Sequence, residues 1–296
     1  MAAAVAIPPE LRARLRELRL AARVAGGDGV GQHASASRGA GLEFAQYRAY
    51  EPGDEPRRID WKLYARSDRY FVREAERDSP LTVWLVVDAS ASMRQADAAR
   101  AEFDKLAAAK LVAACVVELA LRQGDRFGIV ALVGGTVAWT PAAAGARHRD
   151  RCLLELARLA PAGGWPDAGA RDALWGRIAP RSLVVVLSDF FDDAAIELAV
   201  RLAAARRDVA AVQMLGADER DFPFRGGHRF REPETGAERR VDAAAVRGDF
   251  LARFGAARAA LARRFDAAGV RHADAFLDEP LERPLRRLFG RSRTSA

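Results

Sequence analysis

A chain of 296 residues, 50% of them hydrophobic, can bury one large core or two modest ones, which excludes a disordered or fibrous class. Its formal charge of +7 is carried almost wholly by arginine, because Lys62, Lys105 and Lys110 are the only lysines. The arginines alternate with Asp and Glu along the predicted helices, which describes a solvated, ion-paired surface rather than a nucleic-acid face.

Taken in chain order, Leu11–Val24 has helical periodicity, with Pro8 and Pro9 before it and GGDGVG at 26–31 after it. That glycine run lacks the preceding strand, the following helix and the Lys-Ser or Lys-Thr pair of a phosphate loop, so it reads as a connector. Residues 42–80 mix extended segments with turns, including EPGDEP at 51–56, where Pro52-Gly53 suits the centre of a type II turn. From Leu81 strands alternate with helices. LTVWLVV is a continuous apolar run of the kind buried on both faces of a sheet, and a long helix is predicted over 97–122. FGIVALV and TVAWT read as two further strands, 146–160 and 168–178 as helices, SLVVVL as a strand, 193–206 as a helix and VAAVQML as a strand. HRFREPETGAERRVDA then reads as a hairpin turning across Glu234–Gly236, followed by a helix at 244–268 and a last strand, VRHADAFL. The basic segment RPLRRLFGRSR reads as a frayed end. This alternation predicts an α/β fold with a doubly wound, mostly parallel sheet, carrying an extra N-terminal segment and a hairpin excursion. The expected division is residues 1–80, packed on the main domain, and residues 81–296, the main domain itself.

Cys115 and Cys152 are too few and too far apart for a disulfide framework or a zinc site, and both fall in apolar helical patterns as buried, inert thiols. No apolar run approaches the ~20 residues that span a bilayer, and the N-terminus lacks the charged start and long apolar core of a signal peptide. The expectation is a soluble, cytoplasmic protein.

The chemistry concentrates in DASAS, where Asp88 ends the first strand of the main domain and Ser90 and Ser92 follow. In doubly wound sheets ligands sit beyond the carboxyl ends of the strands, near the switch point, so Asp88 and Asp189 (in LSDFFDD) are expected to share one rim. A serine nucleophile needs a base and an oxyanion hole. The glycines of a nucleophile elbow are absent, and His33, His148, His228 and His272 show no telling spacing. An aspartate-nucleophile phosphatase wants a second acid two positions on, where Ser90 stands. Two readings remain open on the residues alone. Asp88, Ser90, Ser92 and Asp189 supply hard oxygens for a divalent ion such as Mg²⁺, and Ser92-Met93-Arg94-Gln95 fits a capping box.

D-x-S-x-S after an apolar strand, with a later strand ending in S-D, resembles the metal-ion-dependent adhesion site of von Willebrand factor A domains. The preceding segment, EFAQYRAYEPGDEPRRIDWKLYARSDRYFVREAE, resembles the signature of a bacterial family called domain of unknown function 58 (DUF 58). The resemblance runs from about Gly26 to Arg291. It implies a von Willebrand A-like fold and a metal set of Asp88, Ser90, Ser92 and Asp189. The expectation is a non-enzymatic interaction protein, and with no nucleic-acid reader motif and no apolar span it is expected to bind no nucleic acid and no membrane. The partner that the resemblance implies is a MoxR-type AAA+ ATPase in protein assembly or remodelling. The rival class is a metal-dependent hydrolase using the same acidic rim. One departure stands out: the adhesion site takes a Thr from a third loop, and here PAGGWPDAG places Trp165 at that point, with Asp167 the nearest oxygen donor. In the signature segment, Arg48, Asp54, Arg57, Asp60, Trp61 and Arg66 read as scaffold, with Asp54 and Asp60 bonding nearby N–H groups in turns.

Overall fold

The computed structural model describes residues 4–22, 44–51, 59–75, 80–233 and 235–290. It divides into two units, one made of Met1–Ala25 with Leu81–Ala296 and the other of Gly26–Pro80. In the first, helix α1 is Pro9–Arg14, much shorter than the periodicity over 11–24 predicts. The reason is tertiary. Beyond it the carbonyls of Leu15 and Leu18 accept from Arg122, and Leu20 exchanges two hydrogen bonds with the Gln123 amide. Leu11, Leu15, Leu18 and Leu20 are buried all the same.

In the Gly26–Pro80 unit, β1 (Phe44–Ala49) pairs antiparallel with β2 (Phe71–Ala75), and α2 (Trp61–Ser67) lies between them in sequence. Asp60 caps α2 by accepting from the N–H groups of Lys62 and Leu63, the turn role predicted for it. Tyr64 stacks on Tyr70 at 4.5 Å, and Trp61 meets both edge-on. Asp54, Arg57 and the Pro52-Gly53 turn lie outside the described residues.

The central sheet holds β3 (Thr82–Asp88), β4 (Arg126–Val133), β5 (Thr136–Ala143), β6 (Leu183–Ser188), β7 (Asp208–Leu215) and β10 (Arg271–Phe276). Their order is β10-β7-β6-β3-β4-β5, parallel throughout except for β5, which returns from β4 as an antiparallel edge. This is the mostly parallel, doubly wound sheet expected from the sequence. Gly128 lets that edge close in, because a Cβ there would stand 2.7 Å from the Trp84 ring and 2.8 Å from the Thr140 carbonyl oxygen.

Alternation along the strands builds a core on each face. Val83, Leu85 and Val87 point to one, which contains α3 (Lys105–Gln123), the inner positions of α4 (Ala146–Arg158) and the N-terminal leucines. Trp84 and Val86 point to the other, under α5 (Ala168–Arg177), α6 (Asp193–Ala204) and the end of α8 (Ala243–Ala267). Cys115 and Cys152 are buried in the first core, and burial pushes both thiols up to about 12, so they are inert as predicted.

Two predicted elements are corrected. The long helix begins at Lys105, not at 97, because Asp104 is its cap, accepting from Ala107 N–H at 2.7 Å. Upstream, Ala91–Arg94 and Ala98–Arg100 are single 3-10 turns, and the loop between them and α3 is closed by Lys105 N–H on the Gln95 carbonyl. Nor is 283–289 a frayed tail, since α9 (Glu282–Phe289) buries Leu285, Leu288 and Phe289. The hairpin excursion is present as β8 (Gly227–Arg231) and β9 (Glu238–Asp242), and α7 (Ala217–Asp221) precedes it. Among the described residues no helix is long and apolar enough to cross a membrane.

Candidate functional site

β3 and β6 are neighbours, so the ends of the two strands bring Asp88 and Asp189 to one rim at the switch point of the sheet. Both are buried, with 1% and 2% exposure, and so is Ser90. Ser90 and Ser92 place their hydroxyls 3.1 Å apart. The four residues singled out in the sequence are therefore gathered at one end of the sheet.

Their bonds show what each does. Asp88 Oδ1 accepts from the Ser90 N–H at 2.8 Å, and Oδ2 accepts from the Ser188 hydroxyl at 2.6 Å and the Trp165 indole N–H at 3.2 Å. One carboxylate thus ties the end of its own strand to the end of β6 and to the third loop. Burial pushes the Asp88 carboxyl up from its ordinary value, the Ser188 and Ser90 bonds oppose that, and the Asp189 charge adds to it. Ser92 starts no long helix: it lies inside the Ala91–Arg94 turn, whose N-cap, Ser90, makes no side-chain cap bond. The capping-box expectation at Ser92 is accordingly replaced by Asp104 as the cap of α3.

Asp189 faces a cation supplied by the chain. Lys105 Nζ, fully buried, lies 3.5 Å from Asp189 Oδ2 and 2.7 Å from Glu219 Oε1, with the Gln95 amide oxygen at 3.4 Å. Above it, the Phe191 ring centroid is 4.6 Å from the ammonium, and Phe191 is 54% exposed. The chain reaches this arrangement through Phe190, which sits at φ +56° with its ring packed against Phe265. A phenylalanine in the left-handed region stores strain of order 1–3 kcal/mol. It turns the backbone so that Phe190 goes into the core and Phe191 to the surface.

A divalent ion wants about six hard oxygens with lone pairs to give. At this rim both Asp88 oxygens carry protein donors, and Asp189 accepts from the Phe191 N–H on one oxygen and faces Lys105 on the other. Trp165 offers the third loop a donor, never a ligand, and Asp167 caps α5 by accepting from Ala170 N–H. Among the described residues no group of three or more His, Cys, Asp or Glu side chains is placed to hold a metal. As placed, the residues expected to bind Mg²⁺ do not fit a divalent ion. Their oxygens are taken up by protein donors, and Lys105 offsets part of the carboxylate charge.

The rim also lacks a histidine base among the described residues. His148 bonds the Phe127 carbonyl, His228 the Arg225 carbonyl, and His272 lies near Asp266. Lys105, Glu219 and Phe191 are the site residues that sequence reasoning missed. Lys105 left one faint signal, as one of three lysines in an arginine-rich chain, and Phe191 another, as the second aromatic of LSDFF.

Beside the rim a cleft of about 1370 Å³ opens, bounded on the sheet side by Ala91, Arg94, Gln95 and Phe191 and on the other by the β8–β9 hairpin and α8.

The family model described as "Protein of unknown function DUF58" matches residues 46–260. Uncharacterised proteins of Mycobacterium tuberculosis and Mycobacterium bovis are each 35% identical to the chain over 266 residues, spanning 88% of it and 81% of their own length. Among solved structures, an aerotolerance-related membrane protein of Bacteroides fragilis is 15% identical, with a TM-score of 0.46 over 70% of this chain and 98% of that one. The VWA domain of SpRpn10 is 10% identical, with a TM-score of 0.41 over 72% and 99%.

Proposed function

Starting from the fact that the chain belongs to the DUF58 family, we propose that it is a non-enzymatic protein-interaction module whose partner docks on the rim at the carboxyl ends of β3 and β6. The observation that carries this reading is Phe191. It is a large aromatic side chain held out of the core by a strained neighbour and seated over a buried, ion-paired lysine. A rigid exposed aromatic beside a polar rim is the type of group that dominates binding energy when a partner desolvates it. Beneath it Lys105 pairs with both Asp189 and Glu219. Docking on this rim draws on the chain's own groups and runs without a metal ion. Catalysis finds little support there, because the hydroxyls of Ser90 and Ser92 face each other and the Asp88 carboxylate is consumed by three donors.

The partner in this reading is a MoxR-type AAA+ ATPase, acting in protein assembly or remodelling, as the family resemblance suggests. Retention of that purified ATPase on the immobilised chain tests this. Wild type retains it in EDTA as well as in Mg²⁺, and Phe191→Ala weakens retention at least about tenfold, the scale of a single interface anchor. Equal retention by Phe191→Ala, or none by wild type, removes the reading. Turnover of a phosphoester that is lost in Asp88→Asn would instead support the hydrolase class.

A further inference from the structure

The cleft beside the rim is built differently from the rim itself. Its floor is a cluster of rings, in which Phe222 contacts Phe230 and Phe250 at 5.8 and 4.7 Å, Phe224 meets Phe230 at 5.2 Å, and Phe254 stacks on Phe250 at 5.9 Å. Apart from Phe222 these rings are only half-buried. The cause lies in α8. Over its 25 residues only Ala243, Leu261 and Phe265 are buried, so the helix is anchored at its ends while Val246, Phe250 and Phe254, four residues apart, form a stripe along the cleft. The stripe is the inner face of a helix that is only partly covered along the middle of its length, where Phe250 packs on Phe222.

The walls are charged. Arg231 and Arg239 on the hairpin and Arg253 on α8 line the cleft, and none has an ion pair among the described residues. Arg94, on the sheet side, donates to the Pro161 carbonyl, a neutral acceptor. Against these four arginines stand three acids: Asp249, Asp218, which accepts from the Ala98 N–H, and Glu219, which shares Lys105 with Asp189. The cleft therefore carries surplus positive charge around an apolar floor.

We propose that this cleft receives an acidic amphipathic segment of a partner protein, a helix or turn that sets two or three large apolar side chains on the Phe222–Phe250–Phe254 floor and pairs Glu or Asp with Arg231, Arg239 and Arg253. The proposal deepens the interaction reading and rests on it. The arginines select for acid, and the i, i+4, i+8 stripe on α8 offers a helix-in-groove surface to matching anchors. Arginines with aromatic rings also suit single-stranded nucleic acid. Here, however, the rings pack on one another instead of standing free as platforms, and Val246, Phe250 and Phe254 repeat at the spacing that a partner helix matches. The peptide is the better match.

The probe is a fluorescein-labelled peptide of about 14 residues with leucine and phenylalanine at i, i+4 and i+7 and glutamate between them, titrated by anisotropy against the full chain. Saturable binding is expected on the order of ten micromolar, weakened at least tenfold in Arg239→Glu/Arg253→Glu, whose exposed positions leave the fold intact. Phe254→Ala is expected to lose a similar factor. Absence of binding, equal binding of a lysine-for-glutamate peptide, displacement by a single-stranded oligonucleotide, or closure of the cleft by a second copy in light scattering each overturns the proposal. If the ATPase is still retained through Phe191 while the peptide fails, this inference falls alone. If peptide binding holds while retention through Phe191 is lost, the rim reading falls instead.

Discussion

Lys105 governs the rim. A buried ammonium loses several kcal/mol of hydration unless paired, and here Glu219 at 2.7 Å and Asp189 at 3.5 Å offset that loss. Removing the cation leaves two carboxylates buried with no counter-charge. Lys105→Met is therefore expected to lower the unfolding free energy by about 3–5 kcal/mol in urea titrations. Because the chain supplies its own cation at Asp189, this rim offers Mg²⁺ no fitting site through which to stabilise the fold. The thermal midpoint of wild type should shift by less than about one degree between EDTA and millimolar Mg²⁺. A midpoint that climbs with Mg²⁺ concentration would show that Asp189 can release Lys105 for an ion. The sequence signalled Asp88, Ser90, Ser92 and Asp189 correctly as a gathered set, since each follows or ends an apolar run whose strand character was plain. It could not show that Lys105 reaches Asp189, 84 residues on, and Glu219, 114 residues on. Such pairings depend on packing across the sheet, which leaves no periodic trace.

At the level of elements, the parallel strands were legible because LTVWLVV, SLVVVL and VAAVQML are nearly continuous apolar runs, as burial on both faces favours, and the buried exception, Gln213, donates to the Asp189 carbonyl. Less was legible where local pattern and tertiary contact disagree. The alanine-rich stretch over 97–104 is compatible with helix. The cap at Asp104 and the bond from Lys105 N–H to the Gln95 carbonyl nevertheless fold it into turns. α9 misled in the opposite direction. Its arginines face solvent, but Leu285, Leu288 and Phe289 complete the first core. Arg271 seats its guanidinium over the Phe289 ring at 5.0 Å and donates to the Leu288 carbonyl. Ending the chain after Leu281 removes three buried side chains worth about 1.5–3 kcal/mol each. The expected loss is on the order of 5 kcal/mol in guanidinium unfolding, whereas a frayed basic end would cost nothing measurable.

At the scale of the whole molecule, the first core is assembled from distant parts of the chain. Ile7, Leu11, Leu15, Leu18 and Leu20 lie in the same cluster as Leu85, Val185 and Leu285, so the N-terminal segment is one wall of that core. Its ends are fixed in different ways. Arg14 reaches Glu282 of α9 at 2.7 Å, an ion pair whose arginine side is 55% exposed and which water and salt screen heavily. Leu18 and Leu20 are instead held through Arg122 and Gln123 at the end of α3, beside buried leucine side chains. The apolar contacts should therefore outweigh the charge by a wide margin. Arg14→Glu is expected to leave the guanidinium midpoint within experimental error. Deleting residues 1–22 exposes five buried aliphatic side chains and the core surface under them, a loss on the order of 5–10 kcal/mol by area, which is comparable to the total stability of an ordinary domain. The truncated chain should keep far-ultraviolet helix signal while losing the near-ultraviolet signal of Trp84 and Trp139, whose rings meet edge-on at 5.5 Å on the opposite face of the sheet. Retention of that signal and of the wild-type midpoint would mean that the segment only rests on a core already closed without it.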